Sequence, residues 1–155
     1  MTTAIKIDKK WETKKVQETT SNVIAGMLVS TFQALGKAGQ EAHEEFHKLM
    51  TQQKLNHYKQ LNIKTPLDLA HAIGEQDHNL FGSEIEVTGD EKKATVTWNS
   101  CAVWQACEKL HKFTPEQQEK MGQQCMSSWK TIADEFGFKF EPSTNKEVHA
   151  VTFSK

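Results

Sequence analysis

The sequence predicts an α+β domain in the order α-α-α-β-β-α-α-β-β, a helical N-terminal half followed by two β-hairpins with two helices between them. Three observations carry this. Apolar residues in the first half recur at helical spacing. Two later segments alternate apolar and polar residues around turn signals. Two further segments between those hairpins carry helix-start signals and apolar stripes. Sequential hairpins favour an antiparallel sheet, on which helices then pack.

Residues 1–19 are polar and lysine-rich, with Ile5, Ile7, Trp11 and Val16 scattered among them. They read as an arm, pinned by Trp11, ahead of a single domain over 20–155. Thr20, Ser21 and Asn22 offer N-caps for the first helix. Ile24, Met27, Leu28, Thr31, Phe32 and Leu35 form its apolar stripe, and Gly36 and Gly39 break it. A second helix spans about 40–61, with Ala42, Phe46, Leu49, Met50, Gln53, His57 and Leu61 as its stripe. Thr65-Pro66-Leu67-Asp68 places proline at the first position of a short third helix ending near Gly74.

Glu84-Ile85-Glu86-Val87 then alternates, Gly89-Asp90 turns, and the segment from Ala94 to Trp98 alternates again. Ala94, Val96 and Trp98 thus share one face. A fourth helix is predicted from about Cys101 to His111. Thr114-Pro115-Glu116-Gln117 is a capping box that opens a fifth. Its stripe is Met121, Cys125, Trp129, Ile132 and Phe136, and Gly137 closes it. Segments 138–140 and 148–153 form the second hairpin, with Pro142 to Lys146 supplying its turn.

All 19 basic residues are lysines and the formal net charge is −1. Arginine is the usual bidentate clamp for phosphate and guanine, so no nucleic-acid partner is expected. No apolar run approaches the roughly 18 residues of a membrane span, and no membrane partner is expected. The lysine-rich N-terminus is unlike a secretory signal. The three cysteines, Cys101, Cys107 and Cys125, are therefore expected to be reduced in a cytoplasmic protein. A homo-oligomer stays open. There is no glycine-rich phosphate loop and no serine nucleophile elbow.

Trp98-Asn99-Ser100-Cys101 runs from a strand into a helix start. Unpaired amides and the helix dipole favour negative charge there. A thiol at that point is biased toward thiolate, which makes Cys101 the candidate nucleophile.

A Gly-x-Glu-x-x-Val-like stretch over 82–87, a strand ending in Cys101, Cys125 in the following amphipathic helix and a closing hairpin to Phe153 stand in one order. Over roughly residues 40–155 this order, with the stretch from Leu61 to Asp68, resembles the L-2-amino-thiazoline-4-carboxylic acid hydrolase-like proteins. Where such proteins often carry a third cysteine in the last hairpin, this chain has His149. Where they carry an acidic residue soon after the second cysteine, it has Met126-Ser127-Ser128-Trp129. The resemblance implies ring-opening C–N hydrolysis of a small heterocycle, or a small-molecule domain of another kind.

Two constellations are candidate sites. Strand alternation puts His149 on the face of Val151 and Phe153, and Cys125 lies on an apolar helix stripe, so both can converge with Cys101. A Cys101–His149 pair suits nucleophilic catalysis, and two thiolates with an imidazole suit zinc with one open position. His57, Trp98, Trp104, Cys125 and Trp129 are expected to line an aromatic pocket for a small molecule. Separately, His43-Glu44-Glu45-Phe46-His47 matches H-E-x-x-H, which puts His43 and His47 on one helix face with Glu44 as base.

The expectation is a small-molecule-binding domain, a hydrolase if Cys101 attacks and His149 carries the proton. A non-catalytic ligand or metal binder and an HExxH zinc hydrolase are the alternatives. No cofactor is required, zinc being the exception those alternatives allow.

Overall fold

The computed structural model describes residues 11–143 and 149–155. Ile5 and Ile7 of the arm, and the 144–148 part of the last turn, lie outside them. The element order is the expected one: α1 (Thr13–Ala38), α2 (Gln40–Lys59), α3 (Pro66–Phe81), β1 (Glu84–Gly89), β2 (Lys93–Ser100), α4 (Ala102–Leu110), α5 (Pro115–Glu135), β3 (Lys139–Pro142) and β4 (His149–Ser154). The four strands form one antiparallel sheet in the order β1-β2-β4-β3.

The inner face of the sheet is set by alternation. Ala94, Val96 and Trp98 from β2 and Val151 and Phe153 from β4 are all buried. α3 packs on β1, β2 and β4, and α5 packs on β3. α2 lies against α5, and α1 against α2, α3 and α4. The main core joins the sheet to Leu55, Tyr58, Leu69, Ile73, Trp129 and Ile132. Each fully buried side chain such as Phe153 or Ile132 stabilises the fold by roughly 1.5–3 kcal/mol over leaving it in water. A second cluster joins Ala25 and Val29 of α1 to Ala106 and Cys107 of α4.

The capping box expected at Thr114 forms, and the helix start expected at Thr65 proves to be a second one. The Thr65 hydroxyl accepts from the Asp68 amide while the Asp68 carboxylate accepts from the Thr65 amide. Thr114 and Gln117 reciprocate in the same way at α5. These are local signals, satisfied within one turn.

Four expectations are corrected. α1 starts at Thr13, so part of the arm is helix and residues 20–22 are interior. The reason is long-range: Gln17 Nε2 donates to the His78 carbonyl at 2.9 Å and Ser21 Oγ to the Phe81 carbonyl at 2.8 Å. α1 thereby satisfies acceptors that the end of α3 leaves open. Trp11 is 63% exposed and pins nothing.

α1 also passes through Gly36 and stops only at Gly39 (φ 99°), and Met27 faces solvent at 63% exposure while Ser21, Ala25 and Val29 are buried. The α2 stripe is rotated: His43, Leu55 and Tyr58 are buried, whereas Leu49, Gln53 and His57 are exposed. Finally, α3 does not end at Gly74. That glycine lies buried where a Cβ would meet Val87 Cγ2 at 3.0 Å and Ile85 Cγ2 at 3.3 Å. It permits close helix–sheet approach, and the helix stops at Gly82, which takes the left-handed conformation (φ 75°).

Candidate functional site

Asp77 on α3 is the centre of the polar cluster within the helix–sheet core. Its Oδ2 accepts from the Trp98 indole N–H at 2.7 Å. Burial pushes its carboxyl above the usual carboxylate range, although Trp98, Lys54 and His149 oppose the shift. Its charge acts on Tyr58, Cys101, Cys125 and His149. Tyr58 donates its hydroxyl proton to Gln76 Oε1 at 2.8 Å, and burial, reinforced by Asp77, raises its pKa.

An aromatic ladder runs beside this carboxylate. Tyr58 and Trp129 ring centroids are 6.1 Å apart, Trp129 and Trp98 6.1 Å, and Trp98 and His149 5.0 Å. The last contact follows from register, because Trp98 and His149 are direct partners across β2 and β4. Lys54 Nζ lies 5.0 Å from the Trp129 centroid, a cation–π contact.

Cys101, Cys125 and His149 therefore share the surroundings of Asp77, and Cys101 and Cys125 pack on the same core. Their chemistry differs from the expectation. Cys101 is the N-cap residue of α4, and the Trp104 and Val103 amides approach its sulfur without a close capping bond. The Ala102 amide is taken instead by Ser83 Oγ at 3.1 Å. Burial raises the Cys101 thiol, with Asp77 and Cys125 adding to the rise, and the Trp104 and Val103 amides do not overcome it. The Cys125 thiol is also raised, by burial first. Both are held as thiols, because desolvation outweighs the helix dipole. His149 keeps an exposed edge, yet burial of the rest of the ring lowers its pKa against the pull of Asp77.

The aromatic pocket is also corrected. His57 is exposed because α2 is rotated from the expected phase. Trp104 leaves the ladder and stacks on Phe113, 5.2 Å between centroids, next to the second cluster. Cys107 is buried packing within that cluster.

The cavities lie elsewhere than expected, among helices. One of about 140 Å³ sits between α1, α2 and α5 and includes Leu28, Phe32, Met50, Lys54, Met121 and Cys125 in its wall. A second of about 390 Å³ follows the α2–α5 seam past Glu44, Thr51, Gln52 and Thr131. They share His47, Gln124 and Ser128. Thr51 and Ser128 hydroxyls bond across the seam at 2.6 Å.

Three buried polar atoms lack a hydrogen bond of good geometry among the described residues, His43 Nδ1, Gln124 Oε1 and Trp129 Nε1, although Gln124 lies against His47 and Trp129 against the Cys125 thiol. One borders the first cavity, and the other two stand behind residues of its wall. Gln124 is in its wall, His43 packs on the wall residue Phe32 at 5.3 Å between centroids, and Trp129 carries Lys54. Buried polar atoms are almost always satisfied, and an exception calls for a missing partner.

Of the HExxH residues, His47 lines both cavities, Glu44 lines the second, and His43 lies behind Phe32. His43 is only 6% exposed, and its ring stacks on His47 at 6.4 Å between centroids. Burial lowers both imidazoles, and Lys120 lowers them further. Glu44 accepts from Gln40 at 2.8 Å. Among the described residues, no group of three or more His, Cys, Asp or Glu is disposed to hold a metal ion.

Asp77, Lys54 and Tyr58 were missed in the sequence. Asp77 continues the Ala70–Ile73 stripe of α3 at helical spacing, and ending that helix at Gly74 concealed it. Lys54 and Tyr58 lie on the true inward face of α2, one residue out of phase with the expected stripe.

No protein-family model matches the chain, and no curated protein matches it significantly. Among the described residues, no helix is long and apolar enough to cross a membrane.

Proposed function

We propose that this chain is a small-molecule-binding domain whose ligand lies between α1, α2 and α5. The observation that carries the reading is one apolar-walled cavity whose wall holds a lysine, Lys54, and a buried amide oxygen, Gln124 Oε1, without a close hydrogen-bond donor. With the adjoining α2–α5 space, the volume reaches the range of small-molecule sites, on the order of 300–1,000 Å³. A bound molecule with a polar donor supplies what the Gln124 oxygen lacks. Three free cysteines suit a reducing, cytoplasmic setting.

The test is a titration of small organic fragments, read by ¹³C-methyl NMR at Met50 and Met121. Both lie in the cavity wall. Concerted shifts at these two, with exposed Met27 unmoved, support the reading. Static Met50 and Met121 resonances across neutral and charged fragments overturn it.

A second reading is hydrolysis of a small C–N heterocycle, as the resemblance implies. It is favoured by the shared surroundings of Asp77, Cys101 and His149. In it, His149 takes the Cys101 proton as sulfur attacks the ring carbon and gives it to the ring nitrogen as the C–N bond breaks. Water then cleaves the carbon–sulfur bond, returning the thiol and the opened product. Cyclic thiazoline turnover that Cys101→Ser abolishes supports it; turnover unchanged in that variant ends it.

A further inference from the structure

We infer that the cavity between α1, α2 and α5 takes a short aliphatic carboxylate, its head on Lys54 and its chain among Leu28, Phe32, Met50 and Met121. This rests on the reading that the cavity holds a small molecule, and it adds the class of that molecule.

The argument is one of charge and surface. Among the described residues, Lys54 is the one lysine in the cavity wall, and no Asp or Glu shares that wall. Among the described residues it makes no ion pair, whereas Lys48, Lys59, Lys93 and Lys130 each do. It is half-buried over the Trp129 ring. Asp77, a carboxyl group that Lys54 acts on, is already bonded by Trp98 and is pushed by burial toward its neutral form. A half-buried ammonium without a counter-ion is costly, and an incoming carboxylate corrects the imbalance. Lys120, which also acts on His43 and His47, adds positive potential from α5. The rest of the wall is mostly aliphatic, aromatic or thioether. It offers an alkyl chain burial worth about 0.8 kcal/mol per methylene. A single lysine is a point charge without the fork of arginine, which suits a monoanionic head better than a phosphate.

The probes are hexanoate, 1-hexanol and hexylamine, titrated against the full chain with Met50 and Met121 methyl shifts as readout. Hexanoate is expected to bind about tenfold tighter than hexanol, the order of one charge-assisted contact, with hexylamine weakest. Lys54→Met is expected to bring hexanoate and hexanol within about twofold, and Lys54→Arg to keep most of the preference. If Lys54→Met does not fold, the wild-type ranking decides alone. Equal binding of hexanoate and hexanol overturns the carboxylate class while leaving small-molecule binding standing. Failure of all three probes to move either methyl, as for a cavity holding only water, overturns both.

Discussion

The Trp98 indole N–H donates to Asp77 Oδ2 at 2.7 Å, so an interior strand and α3 are joined by a hydrogen bond inside an apolar core. Trp98→Phe keeps an aromatic ring but strands the carboxylate. The expected loss is about 1–3 kcal/mol beyond the packing change. Adding Asp77→Leu removes the stranded acceptor and is expected to recover part of that loss. Urea unfolding of both single variants and the double variant measures the coupling; strict additivity would refute it.

Acid is expected to weaken the fold through its histidines. His43, His47 and His149 have pKa values lowered chiefly by burial. Below pH about 6.5, the ordinary histidine value, the unfolded chain takes up protons that the folded chain refuses. Stability therefore falls as pH falls through that point. Asp77 has the opposite sign. Its raised carboxyl favours the folded state at low pH, and that contribution is lost as pH rises from about 3.9. His43→Leu is expected to flatten the decline between pH 7 and pH 5 in urea titrations. An unchanged slope would contradict this assignment for His43.

Two glycines within helices are expected to respond oppositely. Gly122 in α5 has open space where a Cβ would go, so Gly122→Ala should stabilise by about 0.5–1 kcal/mol. Gly74→Val would press on Val87 and Ile85 and should destabilise by about 1–3 kcal/mol. Thermal and urea unfolding distinguish the two signs.

Cys101 is expected to alkylate more slowly at pH 8 than an unstructured peptide thiol, because its thiol is raised rather than lowered. Iodoacetamide labelling followed by peptide mass spectrometry over a pH series gives the rate. A Cys101 faster than the peptide would restore the thiolate at the α4 start.

What could be read from the sequence was local. The Thr65 and Thr114 boxes close within a turn, and the alternation in β2 and β4 fixes which side chains face inward. The Trp98–His149 contact was not read, because it follows from the β1-β2-β4-β3 order, which no local signal carries. The misreadings have long-range causes. Gly74 resembles a helix stop until β1 is placed against it. Residues 13–19 look like tail until Gln17 and Ser21 meet the end of α3. His43 is polar by composition and buried only because α1 brings Phe32 over it. Asp77 and Lys54 acquire meaning from their surroundings, not from a spacing motif.

The ladder Tyr58–Trp129–Trp98–His149 also makes the molecule its own optical reporter. Light absorbed by Tyr58 passes to the indoles beside it. Emission from Trp129 then depends on the ammonium above its ring, and emission from Trp98 on the charge of the imidazole against it. Occupancy near Lys54 and protonation of His149 are thus written into two tryptophans on adjoining elements, readable without a label.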